Sequence, residues 1–121
     1  MQLTLESSKG IIIRSWSPGA LQINDDLIVS NCIVHADRVY SDWQPRAIAD
    51  IHLNDFSQAL ELKPEVILFG TGKSQLFPHI ELITMIMQQG IAFETMDTAA
   101  ACRTFNVLNG ESRSVVAALI V

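Results

Sequence analysis

The stretch Glu65-Val66-Ile67-Leu68-Phe69-Gly70-Thr71-Gly72 decides the fold of this 121-residue chain. One charge precedes a continuous apolar run, and two glycines follow. An unbroken apolar run, unlike an alternating one, is the pattern of a strand covered on both faces. The glycines end it with the backbone freedom that a sharp exit requires. Downstream the theme repeats. Pro78 to Gln89 predicts a helix, with Pro78 in the first turn and Gly90 just past the end. Ile91 to Met96 predicts the next strand. Asp97 or Thr98 predicts the cap of a helix reaching about Leu108, stopped by Asn109-Gly110. Val115 to Val121 predicts a final strand. Strands alternating with helices in this way are parallel and joined by right-handed crossovers. The strands at 65–69 and 91–96 therefore end on one rim, which brings Gly70-Thr71-Gly72 beside Asp97-Thr98. In open α/β sheets that rim is where ligands bind.

Upstream the pattern changes. Leu3-Thr4-Leu5, Ile11-Ile12-Ile13, Ala20-Leu21-Gln22-Ile23, Leu27-Ile28-Val29 and Cys32-Ile33-Val34-His35 read as short strands, with Val39-Tyr40 closing the set. Lys9-Gly10, Pro18-Gly19 and Asn24-Asp25-Asp26 are turn signals between them, the last a hairpin. Ser41 to Ala47 is a loop. Asn54 or Asp55 caps a short helix over about 56–62 that Pro64 ends. No linker, repeat or low-complexity tract divides the chain, so residues 1–121 are expected to form a single α/β domain. The fold class that follows has a mixed central sheet, a C-terminal βαβαβ unit and a β-rich N-terminal half, in three layers.

Composition excludes several function classes. Lys and Arg number eight against thirteen Asp and Glu, a net charge of −5. The cations are spread from Lys9 to Arg113, so the basic face needed to bind nucleic-acid phosphates is absent. An electrostatic membrane anchor is disfavoured for the same reason. No apolar stretch approaches the ~20 residues of a membrane span. Met1 to Gly10 reads neither as a secretory signal nor as an Arg-rich presequence. Cys32 and Cys102, without a signal, predict free thiols in a reducing cytoplasm.

Each chemical candidate has a plain structural alternative. Gly70-Thr71-Gly72-Lys73 offers backbone N–H groups and a cation to an anion. Gly72-Lys73-Ser74 matches the end of a P-loop, but position 67, where that motif needs glycine, is Ile. A dinucleotide fingerprint fails at Gln75. A tight strand exit explains the glycines more simply. Asp97 and Thr98 suit a base or a hydroxyl ligand, and suit helix capping better. Cys102, early in the last helix, is either an activated thiol or, as its alanine-rich surroundings favour, a buried structural one. His35, His52 and His79 are scattered, so neither a Cys–His pair nor zinc spacing is present. Arg103, Asn106, Glu111 and Arg113 form a polar set that reads as a solvated network, or as carboxylate recognition by Arg. Glu94, inside an apolar strand, needs an exposed edge or a partner such as Arg103 or Arg113. The helix at 78–89 is apolar around most of its circumference: Ile80, Leu82, Ile83, Met85, Ile86 and Met87 leave only Glu81, Thr84 and Gln88 as a polar stripe. Such a helix is expected to be covered on more than one side, as core, by a second copy, or by a partner.

Val66-Ile67-Leu68-Phe69-Gly70-Thr71-Gly72, Gly90-Ile91, Met96-Asp97-Thr98, Ala101-Cys102-Arg103-Thr104-Phe105-Asn106-Val107-Leu108 and Glu111-Ser112-Arg113 together resemble the family of the mitochondrial complex I assembly factor three. The likeness covers essentially the whole chain, and free-standing bacterial members are most similar at Cys102-Arg103-Thr104. It implies a compact α/β domain with helices on one side of a mixed sheet and extra β-structure on the other. It implies an assembly-type binding role, with a protein partner, a small ligand or a second copy as occupant. The family has no agreed enzymatic activity, so no catalytic residues carry over; no cofactor is expected, and the scattered histidines argue against a metal site. The ligand-binding candidates are therefore Gly70, Thr71, Gly72, Lys73, Asp97, Thr98 and Arg103, chosen on geometry alone.

Overall fold

A computed structural model describes residues 10–121 and, before them, the backbone of Thr4–Glu6. Leu3 and Lys9, assigned above to a strand and a turn, lie outside the described residues. The larger sheet contains β1 (Thr4–Glu6), β5 (Cys32–His35), β6 (Arg38–Ser41), β7 (Val66–Thr71), β8 (Ala92–Met96) and β9 (Val115–Ile120). Its spatial order is β1-β6-β5-β9-β7-β8. β7 is parallel to β8 and β9, while β5 runs antiparallel to β9 and β6. A second, antiparallel sheet holds β2 (Ile13–Ser17), β3 (Ala20–Ile23) and β4 (Asp26–Ile28). Two hairpins form it. Ser17 opposes Ala20 across Pro18-Gly19, and Ile23 opposes Asp26 across Asn24-Asp25. Asn24 takes the left-handed conformation, φ 51°, which asparagine tolerates better than most residues.

The mixed sheet has a layer on each face. The connection from β7 through α2 (Ile80–Met87) steps outward to β8. The connection from β8 through α3 (Thr98–Gly110) steps back across β7 to β9. Two right-handed crossovers in opposite directions put their helices on opposite faces. Side-chain alternation follows: Ile67, Phe69, Val116 and Ala118 pack with Leu82 and Ile86 of α2. Val66, Leu68, Ala117 and Leu119 pack with Ala101, Cys102 and Phe105 of α3, and with Leu21, Ile23 and Ile28 of the small sheet. The helices are thus not confined to one side, as the family likeness implied. α3 shares its side with the β-structure, because the return crossover cannot remain on the face α2 occupies.

Local differences from the sequence reading have identifiable causes. The strand placed at Ile11–Ile13 begins at Ile13 and continues through Trp16, held by Asn106 of α3. The helix at 56–62 divides into a 3-10 turn, Leu53–Phe56, and α1 (Ser57–Glu61). Asp55 is not its first cap: the carboxylate reaches back to accept from His52 N–H at 2.8 Å, closing a capping box. α3 runs through Asn109-Gly110, and the left-handed residue after it is Ser112, φ 61°. The largest correction concerns α2. One side of α2 is covered: Leu82 and Ile86 are buried against the sheet and Phe56, with Ile83 partly buried beside them. The β2–β4 sheet packs with α3 on the opposite face, while Ile33, Trp43, Ile51 and Phe56 share the α2 side.

Candidate functional site

The rim inferred from the sequence exists. β7 and β8 end together, Gly70 opposite Met96, and Thr98 opens α3 directly behind the Gly70–Gly72 turn. Thr98 is fully buried. Its hydroxyl accepts from Gly72 N–H at 2.8 Å and donates to Ile120 O at 2.7 Å. Its own N–H donates to Gly72 O at 2.8 Å. One threonine therefore ties the ends of β7, α3 and β9 together. The Thr71 hydroxyl donates to Ser74 O at 2.7 Å, with Met96 O within 3.1 Å, and accepts from Leu76 N–H at 3.0 Å. Asp97 caps α3, its Oδ1 accepting from Ala100 N–H at 2.8 Å. The rim brings together Gly70, Thr71, Gly72, Asp97 and Thr98, with their polar groups engaged within the chain. Lys73 projects from the turn, exposed.

Gly70 is required by contact rather than by dihedral angle. A Cβ there would lie 2.9 Å from Leu119 Cδ2 and 3.1 Å from both Cα and Oγ1 of Thr98. Because the Thr98 backbone cannot yield as a flexible side-chain tip does, Gly70→Ala is expected to destabilise the protein by about 2 kcal/mol. A urea midpoint unchanged from the parent would refute that account of the close approach.

Arg103, the remaining candidate, is placed elsewhere. It faces β2 and lines a groove of about 290 Å³ with Arg14, Ser15, Trp16 and Cys102. Asn106, one turn on, fixes the width of this junction. Its amide accepts from Ile13 N–H and donates to Ile13 O, both at 2.9 Å. The sequence reading placed Asn106 in a solvated set and missed this clamp. Asparagine inside a helix, where propensity disfavours it, was the available signal. Cys102 and Cys32 are buried free thiols. Burial pushes both up to about 12, so neither is an activated nucleophile at neutral pH. Among the described residues no group of His, Cys, Asp and Glu is arranged to hold a metal ion. Glu94 is exposed on edge strand β8, and Arg113 reaches Glu65 instead, at 4.0 Å.

A shallower cleft of about 500 Å³ lies at the other end of the sheet, lined by His35, Asp37, Asn109, Ser112 and Arg113 among others. Burial lowers the His35 pKa from its ordinary 6.5, and the neighbouring Asp37 opposes that only in part. A lowered folded value means the unfolded chain binds more protons between the two values. Stability is thus complete above about pH 6.5 and falls as the pH drops toward the folded value. His35→Gln should flatten the fall in urea midpoint between neutral pH and about pH 5.5.

The exposed apolar surface is concentrated before and along α2. Phe77 and Ile80 are 66% and 67% exposed, with Leu76 and Met87 also open to solvent. Ile80 and Met87, at i and i+7, lie on one side of α2 with the half-buried Ile83 between them, following the exposed Leu76-Phe77 approach. No helix among the described residues is long and apolar enough to cross a membrane.

Comparison with known proteins is consistent with this architecture. Residues 13–120 match the family described as "Protein of unknown function (DUF498/DUF598)". The chain is 36% identical over 117 residues to NADH dehydrogenase [ubiquinone] 1 alpha subcomplex assembly factor 3 of Danio rerio, covering 95% of this chain and 67% of the relative. It is 37% identical over 73 residues to a 13 kDa major membrane protein of Francisella tularensis, covering 60% of this chain and 59% of that protein. An NMR structure of a Xanthomonas campestris protein superposes with a TM-score of 0.82 at 32% identity, over 92% of this chain and 84% of that one. The chain spans about two-thirds of the length of the assembly factors it matches, 66% for that of Xenopus tropicalis.

Proposed function

This chain belongs to the DUF498/DUF598 family, and from that premise we propose that it acts by binding, as an assembly-type module that engages a protein subunit while a respiratory or membrane complex matures. The observation that carries the reading is the α2 face. Isolated exposed apolar side chains are ordinary, but a contiguous set marks an interaction surface. Leu76, Phe77, Ile80 and Met87 form such a set beside an exposed edge strand. Methionine, flexible and polarisable, suits a surface that adapts to its partner. The occupant is the apolar surface of an unassembled subunit, in keeping with the names of the relatives. A second reading, an anion held by Gly70–Gly72 and Asp97-Thr98, has less support, since Gly72 N–H and both threonine hydroxyls already have partners.

The test is affinity purification of the tagged protein from its own host, beside the variant F77D/I80D. These positions are exposed, so the variant is expected to fold. Respiratory-complex subunits should co-purify with the parent and drop at least about tenfold with the variant, as expected for loss of a buried aromatic anchor. Equal recovery with both proteins would refute the α2 assignment. Absence of such subunits from both would refute the assembly role.

A further inference from the structure

The groove between β2 and α3 lies on the side of the sheet opposite the α2 face, and none of the preceding readings uses it. Three independent features meet there. First, β2 carries a bulge at Arg14: Ile13 opposes Ile23 and Ser15 opposes Gln22, so Arg14 is the extra residue. A bulge leaves its extra residue outside the ladder and re-aims the strand locally. Second, Arg14 and Arg103 line one groove from facing elements, in a chain with eight Lys and Arg and a net charge of −5. Both side chains are exposed, and their planar forks match carboxylate and phosphate oxygens. Third, Trp16 lines the same groove, and its Nε1 is the one buried side-chain polar atom without a hydrogen-bond partner among the described residues. Buried polar groups are nearly always paired, so an unpaired donor calls for an explanation.

We propose that this groove binds a small oxyanion, a carboxylate or phosphate group on a compact molecule, with Arg14 and Arg103 supplying charge and the Trp16 ring forming part of the wall. The site is preformed. Asn106 locks β2 to α3 through both amide atoms at Ile13, so binding need not order the backbone, which favours affinity. The floor is apolar, with Ile13 and Cys102 buried beneath the cations. A volume of about 290 Å³ limits the ligand to a small molecule. The start of α3, where Ala99 lines the groove, adds positive potential from the helix dipole. That contribution is secondary, because Asp97 already caps the helix.

The chain contains two tryptophans, and this makes the test direct. Trp43 Nε1 donates to Asp55 O at 2.8 Å, far from the groove in sequence and on the other core, so its indole resonance is an internal control. The ¹⁵N-labelled protein is titrated separately with inorganic phosphate and with benzoate, following both indole cross-peaks, and Trp16→Phe assigns them. Saturable displacement of the Trp16 signal alone, by either probe, is expected. The more effective probe then identifies the head group. R14Q/R103Q should weaken that response by at least about tenfold, as loss of two charge-assisted contacts implies. An unmoved Trp43 signal shows that the variant remains folded. A Trp16 signal indifferent to both probes, or drifting linearly without saturation, would overturn the proposal. So would an identical response in R14Q/R103Q.

Discussion

Phe56→Ala is expected to lower the unfolding free energy by about 4 kcal/mol. Phe56 is fully buried and stands at the centre of an aromatic group. It meets Phe69 and Phe93 edge-to-face, with ring centroids 5.2 and 5.5 Å apart, and Trp43 at 5.6 Å. These are favourable geometries for ring quadrupoles and add to the area buried. The segment bearing Phe56 makes the loss worse. A four-residue 3-10 turn and a five-residue helix are too short to hold their own shape. Phe56 and Ala59 are the buried residues that fasten them to the sheet. The alanine variant thus loses packing and also releases residues 42–62. Their amide hydrogens should exchange faster than those of β7 and β9. Phe56→Leu, which keeps most of the volume, should cost about 1–2 kcal/mol. Chemical denaturation of the three proteins decides the matter. A deficit below about 1.5 kcal/mol for the alanine variant would mean that the aromatic group repacks freely.

Thr98→Val should lose about 3 kcal/mol although it removes no volume. Valine fills the space of threonine, so the change isolates the hydroxyl. Without it, Gly72 N–H loses its acceptor and Ile120 O loses a donor, inside a junction where Thr98 is fully buried. Each orphaned group carries its desolvation penalty uncompensated. Thr98→Ser keeps both hydrogen bonds and gives up one methyl group, about 0.8 kcal/mol. The diagnostic result is the order of stability: parent, then serine, then valine. Valine equal to or above serine would mean that hydroxyl bonding is not what joins β7, α3 and β9.

The βαβαβ half was legible because its signals are local. An unbroken apolar run, a proline near a helix start and a capping Asp97 each act within a few residues. The rim followed from topology alone. What stayed hidden depends on distant parts of the chain. The groove at Arg14 and Trp16 needs Asn106 to clamp a strand 93 positions away. The bulge that frees Arg14 leaves no mark in hydrophobic alternation. Arg103 was grouped with the rim, yet it lines the β2–α3 groove instead, because its direction depends on the rotation of α3 over the sheet. The exposure of α2 could not be read from its own residues. Their composition demands cover, and only the route of the return crossover shows that the chain itself does not provide it.

β9 follows β5, β7 and β8 in the sequence yet sits between β5 and β7 in the sheet. During synthesis the β-rich half and the β7-α2-β8 unit emerge first, and each exposes a bare strand edge with nothing to join it. Only when residues 115–121 clear the ribosome can Cys32 meet Leu119 and Val66 meet Val115. At roughly 5–20 residues per second, the nascent chain therefore spends seconds as two unzipped halves with apolar edges exposed. Unpaired apolar strand edges are what chaperones shield and what aggregates form on, so this interval is a point of vulnerability.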